Sequence, residues 1–271
     1  MVKASRKQGR VCALSLYGRY FAMHLKSQMQ YKTSFFLSCL VQFLTSFFGL
    51  FAVYFLFDRF HEVEGFSFEE ILLCYAVVAM GYSLAECFAR GFDLFPHMLG
   101  NGEFDRVLVR PRGAIFQVLA SKMEFTRISR LMQSLLVFAY ALPASGVVWR
   151  PDKVLTLLLM VCSGAVVFSG VFILYAALCF FTTQGLEVIN IFTNGGLEFG
   201  RYPLSVYGEG ILRFFTYIIP MALFQYYPLL YLVGKTENLF YMFTPILSCL
   251  FFVPCLLLWK TGVRHYRSTG S

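Results

Sequence analysis

A chain of 271 residues that is 58% hydrophobic and only 14% charged is too apolar to be a soluble domain, where about a quarter of residues are charged. The net charge of +8 would suit nucleic acid if the basic residues sat together on a soluble unit. They alternate instead with long apolar runs, which excludes that partner and points to sidedness in a membrane.

From the N-terminus, residues 10–32 carry Leu14, Tyr17, Phe21, Leu25 and Met29 at spacings of three and four, flanked by Arg19 and Lys26. An amphipathic helix of this kind lies in a membrane interface; the alternative is a basic leader that only fixes topology. The apolar run that follows has no small-residue cleavage pattern behind it and reads as a retained span, not a signal peptide. A hydrocarbon core takes about 20 helical residues. On that measure 33–57, 70–91, 131–149 (or from near 116), 154–181 and 238–259 are spans. Between the last two, 211–233 is strongly apolar and 186–203 only partly so. Six crossings result whichever of these spans, the other then dipping in and returning or lying at the surface. The chain is therefore expected to be all-α, a polytopic membrane protein of about six transmembrane helices.

Lys and Arg gather in 1–32, in 90–130 and in the tail after Lys260, while the first opposite loop is acidic with Asp58, Glu62, Glu64, Glu69 and Glu70. The positive-inside rule puts both termini and the 92–115 loop in the cytoplasm, the membrane being the plasma (inner) membrane. The eight cysteines include no Cys-x-x-Cys pair and mostly lie in apolar runs, as small packing residues do.

Four sets of polar residues and prolines stand out. In the 92–115 loop, Gly100-Asn101-Gly102 forces a turn, and Arg110-Pro111 ends a short charged helix that begins near Glu103. Phe104, Val107 and Leu108 lie between the charges, so the loop suits docking, or else merely stays out of lipid. Glu86, Arg90 and Asp93 form a ladder on one helical face, and Glu124, Arg127 and Arg130 repeat the theme before the third span. Such ladders either transmit movement or tie the interface together. Asn190, Asn194 and Glu198 share a face at spacings of four; a membrane carboxylate is costly unless it is paired or faces water. Glu198 either lines a path, pairs with Arg201 or lies outside the membrane on the extracellular side. Pro220 and Pro228 flank Gln225 in 203–235, which reads as a re-entrant or kinked element.

No catalytic constellation competes with these. Gly234-Lys235-Thr236 lacks the earlier glycine of a phosphate loop, Gly-x-Ser-x-Gly and His-Glu-x-x-His are absent, and the four histidines are scattered. The chain is expected to hydrolyse no ATP and to hold no metal or cofactor.

The pattern Gly102-Glu103-x-Asp105-x-x-Leu108-x-Arg110-Pro111 after the second span resembles the membrane subunits of ABC-2 type exporters. It looks closest to a small six-span branch that includes viologen-exporter-like permeases. Arg201-Tyr202-Pro203-Leu204, with Ile219-Pro220 and Pro228 downstream, is a second and weaker match. The resemblance implies one non-catalytic permease domain over 1–271. It would work with two ABC ATPase subunits that carry ATP and Mg, and with a second permease chain, identical or paralogous, among membrane lipids. Coupling to the ATPase then falls to residues 10–32 and 92–112, with Asp93, Gly102, Glu103, Phe104, Asp105, Leu108, Arg110 and Pro111 in the loop and Glu86 and Arg90 behind it. Asn190, Asn194 and Glu198 would line the path, and Pro220, Gln225 and Pro228 would form an outer gate. The substrate stays open among organic cations, lipids, peptides and glycolipids. The alternative is a stand-alone carrier or scramblase, for which paired broken helices would be expected; only one broken region is present.

Overall fold

The computed structural model describes residues 13–60, 62–182 and 195–267. Regular structure in them is helical, apart from an isolated bridge between Val63 and Phe66. The helix α1 (Ala13–Gln28) passes through a 3-10 turn at Met29–Tyr31 into α2 (Lys32–Phe60). Together they form one unbroken rod, Ser15–Arg59, of which only 11% of the most apolar stretch is buried. The apolar stripe of α1 turns toward the protein: Phe21 meets Phe88 and Phe125, and Tyr17 meets Phe116.

The next helix, α3 (Phe68–Asp93), is the axis of the molecule, with 89% of its apolar stretch buried. Ser67 starts it through a capping box with Glu70, each side chain bonding the other's backbone N–H. Against it lies α8 (Pro151–Leu178), opened by a proline whose missing N–H would have no partner in the first turn anyway. The two cross where Gly81 meets Gly164; a Cβ on Gly81 would stand 3.1 Å from backbone. Small residues let membrane helices approach this closely.

On the other side of α3 packs α7 (Ile128–Ala144). The sequence places this span at 131–149; the helix ends earlier because Gly146 turns the chain at φ +64°. Its 17 residues extend about 25 Å, against a hydrocarbon core of about 30 Å. The last span is α13 (Phe240–Ser248), a 3-10 turn and α14 (Phe252–His265), which packs on α8.

Between α8 and α13 the described chain contains a short helix at 195–199 (α9), a 3-10 turn, α10 (Glu209–Tyr217), α11 (Met221–Phe224) and α12 (Tyr226–Val233). The α11–α12 segment departs from α10 at 85°. Pro220 stands at that break, where it cannot supply the N–H a continuing helix needs. Pro228 falls in the first turn of α12 and breaks nothing. Four helices are long and apolar enough to cross a membrane among the described residues, or five if the bent pair is one span.

Two apolar cores result. One surrounds the N-terminal half of α3, where Ile71, Leu73 and Ala76 gather with Met160, Leu229 and Leu232. The other surrounds its C-terminal half, which we call the basic end, with Tyr82, Phe92, Phe168, Phe172 and Trp259.

Candidate functional site

At the basic end of α3 an ion network joins that helix to the start of α7 and the segment leading into it. Arg90 pairs with Glu86 at 3.2 Å and Asp93 at 2.6 Å along its own helix, and reaches Glu124 at 3.1 Å. Arg127 pairs with Glu86 at 3.6 Å and Glu124 at 3.5 Å. Arg130 also pairs with Glu86 and lies over the ring of Tyr82. Three carboxylates thus face three guanidinium groups, and Glu86 is only 2% exposed at their centre. A buried carboxylate needs such compensation, since desolvation alone costs several kcal/mol or more.

The network extends to the α1–α2 rod. Arg127 donates to the Gln42 amide oxygen at 3.0 Å. The Gln28 side chain donates to the Met123 carbonyl and accepts from the Phe125 N–H, and His24 meets the Ala120 carbonyl at 2.9 Å. None of His24, Gln28 and Gln42 stood out in the sequence, because each acts on a segment more than 80 residues away.

Beyond Asp93 the chain folds into three one-and-a-half-turn helices, α4 (Phe95–Gly100), α5 (Glu103–Leu108) and α6 (Ala114–Leu119). Gly102, at φ +68°, makes the turn between α4 and α5 that an L side chain would strain. The α6 backbone rests directly on α3: a Cβ on Gly91 would lie 1.9 Å from the Val118 carbonyl oxygen. From α6, Gln117 donates to the Val107 and Arg112 carbonyls at 2.9 and 2.8 Å and latches the end of α5.

The two faces of α5 differ. Phe104 is fully buried among Phe95, Phe180, Trp259 and Tyr266, so it anchors α5 to the ends of α8 and α14 and presents nothing to solvent. Val107 is buried beside it. On the outer face Glu103, Arg106, Leu108, Arg110 and Pro111 are exposed, Val109 is 84% exposed, and Asp105 is half-buried at the edge. Neither Arg106 nor Arg110 makes an ion pair among the described residues. The α4–α5 pair is therefore a charged knob on an aromatic root. Alternation of Phe104 and Val107 against Glu103 and Arg106 carries this orientation in the sequence, but Leu108 gives an equally apolar signal and points outward.

In the 195–235 region, Glu198 is 55% exposed and is paired with Arg201 one turn on. The Arg201 guanidinium lies against Gly49 of α2, where a Cβ would stand 2.8 Å from it. Asn190 and Asn194 fall outside the described residues. Gln225 is fully buried; its two amide N–H groups face the carbonyls of Gly200 at 3.0 Å and Tyr202 at 2.7 Å, with the Cys74 sulfur 3.2 Å from the same nitrogen. It thereby satisfies carbonyls freed where α9 ends. Pro220 and Pro228 lie before and after it on the same element. At the end of the molecule opposite the knob, Tyr231 donates to Asp152, Lys153 to the Leu232 carbonyl, and Lys235 pairs with Glu70. These contacts fix α12 to α8 and α3. Among the described residues no group of His, Cys, Asp and Glu is placed to hold a metal ion.

The family model described as ABC-2 family transporter protein matches residues 40–270, nearly the whole of this architecture. No curated protein and no solved structure matches the chain.

Proposed function

The chain belongs to the ABC-2 family of transporters, and from that premise we propose that it is the permease subunit of an ATP-driven exporter whose α4–α5 knob seats a separate ATPase. The observation that carries this reading is the contrast between the two faces of α5. Its inner face is clamped by aromatic side chains, while its outer face offers Glu103, Arg106, Leu108, Val109 and Arg110, with no ion pair to the two cations among the described residues. The arginines of the network behind it, Arg90, Arg127 and Arg130, are engaged with carboxylates of the chain itself. Exposed guanidinium groups on a rigid mount suit bidentate capture of a carboxylate on another protein.

In this reading two ATPase subunits carry ATP and Mg, a second permease chain, identical or paralogous, completes the path, and the knob and both termini face the cytoplasm of the cell whose plasma membrane holds the complex. Closure of the ATPases on ATP displaces the knob. Phe104 passes that displacement to the ends of α8 and α14, and the Arg90, Glu124 and Arg127 contacts pass it to α3, α7 and the α1–α2 rod. Nucleotide favours one permease conformation only to the extent that the nucleotide-bound ATPase holds that conformation more tightly. Glu198, half in solvent beside Arg201, is the charged group of the proposed path, and the Gln225 clamp with Pro220 and Pro228 holds its far end.

The test is co-purification. The tagged chain, drawn from its native membrane in mild detergent, brings an ABC ATPase with it, and Arg106→Glu with Arg110→Glu lowers that recovery at least tenfold while the chain stays in the membrane. Undiminished recovery with the double variant would remove the knob from the interface.

A further inference from the structure

At the junction of α1 and α2 a groove of about 270 Å³ opens between the rod and the segment that carries Lys122 and Thr126. Ser27, Tyr31, Ser34 and Ser38 line its rod side at spacings of four, three and four, which is one face of a continuous helix. Gln28 fixes the opposite wall by bonding Met123 and Phe125. Hydroxyls elsewhere in these helices mostly bond back to a carbonyl one turn earlier, as Ser46, Ser83, Ser163, Ser169 and Thr261 do. No hydrogen bond engages those of Ser27, Tyr31, Ser34, Ser38 and Thr126 among the described residues. Lys122 is exposed and makes no ion pair there, while the carboxylate of Glu124 beside it is already held by Arg90 and Arg127. The groove thus offers one free ammonium and a row of free hydroxyl donors, a set that suits phosphate and ester oxygens.

We propose that this groove holds the headgroup and glycerol region of a phospholipid drawn from the leaflet at the basic end of the molecule. The polarity gradient along the rod decides for a lipid over a soluble anion. Just past Ser38, on the same side of the rod, α2 exposes Val41 and Phe48, each more than half exposed; acyl chains meet such a surface favourably. The phosphate sits between Lys122, Tyr31 and Thr126. Ser34 and Ser38, one and two turns nearer the hydrocarbon, donate to the ester carbonyls, and the acyl chains lie along α2. The Lys122 ammonium also favours the anionic lipids of a cytoplasmic leaflet. The inference does not depend on which partner the α4–α5 knob meets. Its consequence is that lipid bridges the loosely packed rod to the segment that leads into α7.

Native mass spectrometry of the full chain tests it, after exchange into detergent with one defined additive at a time: phosphatidylglycerol, phosphatidylethanolamine, a diacylglycerol with the same chains, or inorganic phosphate. The expected result is a phospholipid adduct that survives collision energies stripping the diacylglycerol. Lys122→Glu with Ser34→Ala and Ser38→Ala retains at least tenfold less phospholipid, and Lys122→Arg retains it. The substituted side chains are exposed, so the variants keep their fold, which circular dichroism checks. Equal retention of diacylglycerol, or of phospholipid by the triple variant, would reduce the groove to ordinary lipid contact and overturn the proposal. Displacement of the phospholipid by millimolar inorganic phosphate would mark a soluble-anion site and overturn it too.

Discussion

Three arginines converge on Glu86, and that single carboxylate is the residue on which the basic end of the molecule balances. Glu86→Gln keeps the shape and removes the charge, leaving three guanidinium groups with only Asp93 and Glu124 to answer them. Breaking a buried pair from one side costs about 3–5 kcal/mol, so the variant is expected to unfold at markedly lower temperature in detergent, followed by thiol labelling of the buried cysteines. An unchanged midpoint would show that water, not Glu86, compensates the arginines. Gly91 makes a second case. Gly91→Ala drives a methyl into the Val118 carbonyl and should destabilise by about 3 kcal/mol, whereas Gly100→Ala, with nothing within 4 Å, should leave the same melting curve in place. At this scale the sequence is half legible. The spacing of Glu86, Arg90 and Asp93 announces a ladder, but Arg130 is 44 residues from Glu86, and nothing in local periodicity says that the two meet.

Among the elements, α5 shows how a helix of six residues holds a fixed position. It is too short to be stable alone and stands because Phe104 is packed among aromatic rings from three other segments. Phe104→Ala should therefore cost about 3–5 kcal/mol and reduce recovery of an ATPase, although the side chain touches no partner; Phe104→Leu should restore most of that recovery. A pull-down unaffected by the alanine variant would mean that the outer face orders itself on binding. The apolar runs of α2, α3, α8 and the last span were readable from hydropathy because each fills a membrane's thickness. The end of α7 was not, since the apolar letters continue past Gly146 while its backbone turns. Nor was the continuity of α1 with α2: the charged first part suggests a separate surface helix, yet no proline or glycine interrupts the rod between them.

Taken whole, the chain divides into a packed body and an attached rod. The body of α3, α7, α8 and the last span is held by close contact, at the Gly81–Gly164 crossing above all. The rod is held by hydrogen bonds at His24, Gln28 and Gln42 and by its aromatic side chains near one end, and farther along by Arg201 against Gly49 and by Val53 and Phe57, which enter the core. Composition revealed the all-α membrane class, and the sequence pattern of the knob pointed to the family. What neither could convey is this division, because burial depends on which apolar faces meet and not on how apolar they are.

The ion network has a consequence for how the protein is made. During synthesis α3 enters the bilayer before Glu124, Arg127 and Arg130 exist, so Glu86 first has only Arg90 from its own helix. The chain then crosses a stage at which its most buried carboxylate is under-compensated, and arrival of α7 ends it. A nascent chain stalled after Ser121 should accordingly remain bound to the insertion machinery and be cut by protease within α3, while one extended past Ala144 should be released and resist. Equal resistance at both lengths would mean that Arg90 alone suffices. Insertion of this membrane protein is, on this account, a ratchet whose pawl is the third apolar segment to emerge.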